Sequence, residues 1–373
     1  MTYNEISDMD ETTMGFPGHC QTTAMGIMPH KDVERALQLA LGLDIPFWPQ
    51  LPNVSYYEDM YAQASEHFPG MTVDVENKKI TFDTARFEAE LAEYSQKMAD
   101  PAIFNLSKSH SAVYHRFLAQ DLGEYTAIRG QLIGPVSFGF KVPDENNRPI
   151  IYNESVRALL FDFIKSKVNA QVRELREKNP KAFVWLDEPG LGWVFSGLSG
   201  YDDLLARREY REFLNSLEVA GALHLCANVN LPYLLGLGTG LLSFDAYQLE
   251  LLPRGYADSV AEFIKGGGLI SWGIVPTDST TLENESPEGL AGRLATYWEV
   301  VAANSDVTAA QVAAQALLAP ARCCLKNIGA VGASGESGGN GATCDLKPEE
   351  KIVETAFDYL KEVSRILRKK FGL

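Results

Sequence analysis

FVWLDEPGLGWVFSGLSGYDDLLARREYREFLNSLEVAGALHLC, residues 183–226, holds the pattern on which the fold turns. It opens on a short apolar run, Phe183–Leu186. A turn with acids and a proline follows, then an amphipathic stretch over Asp203–Leu217. A second apolar run, Ala222–Cys226, closes it. Apolar runs this short fit strands buried on both faces, and the stretch between them is long enough for a crossover helix. The segment predicts strand, helix, strand.

The same alternation extends in both directions. Further apolar runs lie at Thr22–Ile27, Ile45–Gln50, Ala127–Phe138, Leu241–Asp245, Leu269–Val275 and Ala316–Ala319, which makes eight. Helical spacing recurs at Asp32–Leu41, where Gly42 is a suitable stop, and at Ser155–Lys178, Ala257–Lys265, Leu290–Ala302 and Pro348–Lys370. Eight buried strands alternating with helices predict an α/β fold, a (β/α)8 TIM barrel. The prediction is a single barrel domain over residues 1–373. Residues 51–126 are too long for one βα connection and contain a hairpin pattern, MTVDVENKKITFD; they read as an insertion over the barrel mouth. The stretch VGASGESGGNGA, residues 331–342, predicts a flexible Gly/Ser loop.

Composition narrows the function. With 46% hydrophobic residues in 373, the chain can bury a large core, and a formal charge of −16 argues against nucleic-acid and anionic membrane surfaces. No run reaches the ~18 apolar residues of a membrane helix. The polar start, MTYNEISDMDET, does not read as a secretory signal, so a cytoplasmic protein is expected. Five cysteines in such a chain suggest metal ligands, reactive thiols or buried apolar residues before disulfides. The glycine-rich stretches at Gly236–Gly240 and Gly266–Gly268 lack a phosphate-loop lysine and a dinucleotide fingerprint, and read as turns.

In such barrels the chemistry sits where strands end. His224 and Cys226 are two apart, so along a strand they share a face. Imidazole and thiolate together favour zinc over magnesium or calcium. Asp245 and Cys323 fall at the ends of other strands, and barrel closure brings them toward the same mouth. Asp187 and Glu188 follow FVWL, and only one of two adjacent strand residues can face inward. Such an acid can cap a helix or grip a substrate ammonium group. Gln50, between the prolines of PFWPQLP, is a second polar candidate.

AMGIMPH, WLDEPGLG, HLC, LLSFDAY and GLISWGIVPT, in this order, resemble the catalytic barrel of cobalamin-independent methionine synthases and their corrinoid-linked and uroporphyrinogen decarboxylase relatives. The resemblance implies zinc held by His224, Cys226 and Cys323, with Asp245 where the family carries a glutamate ligand. Cys323-Cys324-Leu325 and Cys344-Asp345-Leu346 both fit the family's late cysteine, with Cys323 preferred. It implies further that Asp187 binds the amino group of homocysteine, with Met25, Gly26, Ile27 and Gln50 beside the substrate. The family's histidine after the seventh strand is missing from GIVPTDS, and its longer members carry a second barrel. Both differences point to methylcobalamin or a methylated corrinoid protein as methyl donor, rather than methyltetrahydrofolate. Other readings are a corrinoid-linked enzyme for a thiol such as coenzyme M, a tetrapyrrole decarboxylase, and a non-catalytic zinc protein that binds a partner.

Overall fold

A computed structural model describes residues 13–323 and 347–373, apart from 198, 227, 228 and 304. The Gly/Ser stretch 331–342, Cys324 and Cys344 lie outside the described residues.

Seven parallel strands form one curled sheet. Gln21–Thr22 pairs with Ala316–Pro320, and the order continues through Leu269–Val275, Leu241–Asp245, Ala222–Leu225 and Phe183–Asp187 to Arg129–Ile133. The gap between the first and last of these is spanned by residues 45–50. Ile45 N donates to Thr22 O at 3.0 Å, Gln50 N to Gly26 O at 2.7 Å, and Arg129 N to Pro46 O at 3.0 Å. Parallel bridges join Ile27 to Gln50 and Phe47 to Arg129. Pro46 and Pro49 have no N–H to donate, which limits this eighth segment to single bridges where a full ladder would otherwise form. The TIM-like barrel expected from the alternating runs is present.

Strand and helix limits agree with the periodicity to within a few residues. Glu154–Arg176 is capped by the Asn153 side chain, and Asp203–Asn215 by that of Asp202. The closing helix, Lys347–Phe371, ends in Arg368, Lys369 and Lys370, which complement its dipole. Two runs are shorter than the apolar pattern predicts: Thr22–Ile27 is strand only at Gln21–Thr22, with a single bridge further on at Ile27. Ala127–Phe138 is strand only over Arg129–Ile133, because Gly134-Pro135 starts a helix, Pro135–Lys141. Proline suits the first helical turn and ends a strand.

Period two sorts each strand into inner and outer residues. At the lower end of the barrel, Phe16, Ile45, Ala127, Phe183, Trp185, Ala222, Leu241, Leu269 and Leu317 form a separate apolar plug. Two residues further along the same strands stand Arg129, His224, Ser243 and Ser271, and beyond them Asp187, Cys226, Asp245 and Gly273. Across neighbouring strands His224 is level with both Asp187 and Ser243, and Asp245 with Gly273. The interior is therefore apolar at the bottom and polar at the C-terminal mouth.

Residues 51–126 hold the helix Met60–Ser65, the hairpin Met71–Asp74 with Lys79–Phe82, and the helices Thr84–Lys97 and Ala112–Leu118. The hairpin pairs Met71 with Phe82 and Asp74 with Lys79. Tyr61 stacks on Phe138, just past the third barrel strand, with centroids 6.1 Å apart. Among the described residues no helix is long and apolar enough to cross a membrane.

Candidate active site

Asp187 and Glu188 point opposite ways. Glu188 faces outward and accepts from Val136 N at 3.0 Å, Ser137 N at 2.8 Å and Ser137 Oγ at 2.6 Å. It caps the helix after the third strand, the structural role open to one acid of this pair. Burial pushes its carboxyl up to about 7 although those donors oppose the shift. Gly134 makes room for it: a Cβ there would lie 2.1 Å from Glu188 Oε1.

Asp187 faces the barrel interior, with Oδ1 4.0 Å from His224 Nε2. Burial raises its carboxyl to about 7, with Arg129 pulling the other way. His224 is wedged by Trp185, ring centroids 5.2 Å apart, and its Nδ1 lies 3.1 Å from Ser243 Oγ. Its Nε2 is buried and has no hydrogen-bond partner. Burial and the Arg129 charge lower its pKa to about 3, so the imidazole is neutral. A buried neutral imidazole with one nitrogen fixed and the other unsatisfied is poised to accept a ligand.

Arg129 was missed by sequence reasoning. It is fully buried beneath the site, between the rings of Phe47 at 4.8 Å and Trp185 at 4.4 Å. Its Nε donates to Thr23 Oγ1 and its Nη1 to Gln131 Oε1, each at 3.0 Å. Burial lowers its pKa to about 9, opposed by Asp187. The available signal was an arginine inside the buried-strand run AIRGQLI, where a buried charge needs partners.

Cys226 is half-buried at the end of the fifth strand. Burial pushes its thiol up to about 12, reinforced by Cys323 and Asp187, while the Arg322 charge pulls it down. These four groups therefore share one neighbourhood at the mouth. Asp245 is engaged otherwise: its Oδ2 accepts from Arg322 Nε at 2.7 Å and its Oδ1 from Gln248 N at 3.1 Å.

Met25, Gly26 and Ile27 are buried at the end of the first strand. A Cβ at Gly26 would meet Gln131 Nε2 at 2.3 Å, so glycine lets Gln131 fill the barrel there. Gln50 turns its Nε2 to Gln63 Oε1, at 2.7 Å, on the insertion helix. Tyr61, two residues earlier on that helix, has its hydroxyl pKa raised, chiefly by burial and further by the charges of Asp59, Glu188, Asp187 and Cys226. Nothing in its sequence context marked it.

For zinc, the donor chemistry fits: one neutral imidazole with an orphan nitrogen, and two cysteines near one another. Among the described residues, no three His, Cys, Asp or Glu side chains are arranged to hold an ion as they stand. The fit therefore lies in the donor types and the unsatisfied His224 Nε2.

No family model matches the sequence, and no curated protein does. Solved structures do. A Listeria monocytogenes protein described as a "putative vitamin-B12 independent methionine synthase" is 12% identical, with a TM-score of 0.43 over 67% of this chain and 66% of that one. A B12-independent methionine synthase from Shewanella sp. W3-18-1, in complex with selenomethionine, is 14% identical, with a TM-score of 0.52. That match covers 91% of this chain and 89% of the other. The chain thus shares the fold of the Shewanella protein along nearly all its length.

Proposed function

We propose that this protein transfers a methyl group to the thiol of homocysteine, forming methionine, with zinc held by His224, Cys226 and Cys323. The observation that carries the reading is the pairing of Asp187 with the unsatisfied Nε2 of His224, 4.0 Å apart in a mouth that also holds Cys226. The selenomethionine bound to the Shewanella protein supports an amino-acid ligand.

Bound zinc would supply the Lewis acidity that keeps a thiol as its thiolate at neutral pH. The chain's own residues do the rest. With its proton on Nδ1, His224 would donate to Ser243 Oγ and turn the Nε2 lone pair into the mouth. Asp187, ionised, takes the substrate ammonium group and aligns the sulfur, and such positioning is worth several kcal/mol. Arg129, fixed between two rings, supplies a positive charge behind Asp187. The sulfur then attacks the donor methyl carbon in line, and the leaving group departs with its electron pair. A methylcorrinoid is the proposed donor. Zinc analysis, followed by methionine formation from homocysteine with methylcobalamin, a methylated corrinoid protein or methyltetrahydrofolate, tests the reading. Zinc-loaded protein inactive with all three donors would refute it.

A further inference from the structure

Asp245 and Arg322 come from strands that are not neighbours. Asp245 ends the sixth strand, Arg322 follows the eighth, and the seventh lies between them. Gly273 on that middle strand permits the crossing. A Cβ there would lie 2.6 Å from Phe244 O and 3.1 Å from Ala321 Cα, so no other residue leaves the chain before Arg322 so close to the barrel. Arg322 then reaches across and donates its Nε to Asp245 Oδ2 at 2.7 Å. The two ends of this pair differ sharply: Asp245 has a side chain 3% exposed, and Arg322 one 58% exposed. A buried carboxylate thus anchors, through Nε, a guanidinium that is more than half exposed. Ion pairs with one exposed partner add little stability, so stability alone is a weak reason for this arrangement.

The geometry points to the Asp245–Arg322 pair as the element that recognises the carboxylate of an amino-acid substrate, with Asp245 a positioning residue rather than a metal ligand. The inference rests on the function proposed above and deepens it. An amino-acid thiol carries a cation and an anion within one residue's length of its sulfur. Both charges are felt at Cys226: Asp187 offers the matching negative group, and Arg322 the matching positive group. Guanidinium holds carboxylate through paired N–H donors, and anchoring by Nε leaves the terminal nitrogens for that contact. In a chain of net charge −16, an exposed cation beside the cysteines also offsets the repulsion an entering carboxylate would feel.

The test measures binding to the zinc-loaded protein by calorimetry, with no methyl donor present. The ligands are methionine, its decarboxylated amine methylthiopropylamine, and its deaminated acid methylthiobutanoate. Arg322→Gln should weaken methionine and the acid by about tenfold or more and leave the amine unchanged. Asp245→Asn should do the same while retaining zinc, and Arg322→Lys should recover part of the loss. Wild-type affinity for methionine in Arg322→Gln would overturn the inference, as would loss of zinc in a folded Asp245→Asn. If the wild-type protein binds neither methionine nor homocysteine, the proposed function fails as well, which separates the two outcomes.

Discussion

Asp187 Oδ1 lies 4.0 Å from His224 Nε2, beneath a mouth that opens to solvent. Burial lifts the Asp187 carboxyl from 3.8 to about 7. A carboxyl whose folded pKa exceeds its unfolded value binds its proton more tightly in the folded state. Its contribution to stability is therefore greatest at low pH and declines as pH rises from about 4 through 7. Ammonium binding needs the ionised form, so methionine affinity should rise over the same window. Asp187→Asn should remove the affinity slope and Asp187's share of the stability slope, leaving the shares of Glu188 and His224, and weaken methionine by tenfold or more, with zinc retained. Denaturation and calorimetry at several pH values would check this; a pH-independent affinity in the wild type removes Asp187 from the site.

Much of this site was legible because strands impose period two. His224 and Cys226 share a face for that reason, and Asp187 and Glu188 cannot. Which acid faces inward was not legible, since it depends on whether backbone N–H groups wait outside, as they do at Val136 and Ser137. Long-range pairs were equally hidden: Asp245 and Arg322 are 77 residues apart, and only closure of the barrel unites them. The insertion helix Thr84–Lys97 went unread because most of its face is polar and exposed, with only Phe87 and Tyr94 buried.

Glu188 provides a stability test independent of chemistry. Glu188→Ala would strand two backbone donors and the Ser137 hydroxyl in the core. The expected loss is about 2–4 kcal/mol in chemical denaturation, since unsatisfied buried donors cost about 1–3 kcal/mol each before relaxation. Gly134→Ala should show a related loss, because the added Cβ would displace the same carboxylate. Near-wild-type stability in both variants would mean that this cap contributes little.

Zinc should bind at about one ion per chain if His224, Cys226 and a late cysteine hold it, leaving an exchangeable position as catalytic zinc requires. Cys226→Ser and Cys323→Ser should each lose most of the metal. Cys324→Ser and Cys344→Ser should keep it. Cys226→Ser protein that retains a full complement of zinc would exclude the site. Loss in Cys344→Ser alone would move the late ligand to that residue.

The methyl donor is the boldest expectation. Methyltetrahydrofolate holds its methyl on a poor leaving nitrogen, which needs protonation or polarisation as the bond breaks. After the seventh strand this chain offers Thr277, Asp278 and Ser279, and Asp278 serves as a helix cap, its side chain accepting from Thr281 N. None of these is a histidine able to give up a proton near neutral pH. A methylcorrinoid makes a smaller demand, because cobalt departs as a stable reduced species carrying the electron pair. Zinc-loaded protein should therefore form methionine with methylcobalamin or a methylated corrinoid protein, and not with methyltetrahydrofolate. Supplying each donor in turn to one preparation checks this. Turnover with methyltetrahydrofolate alone would reverse the donor assignment and leave the thiolate chemistry standing, since Asp187, His224 and Cys226 act on the acceptor side.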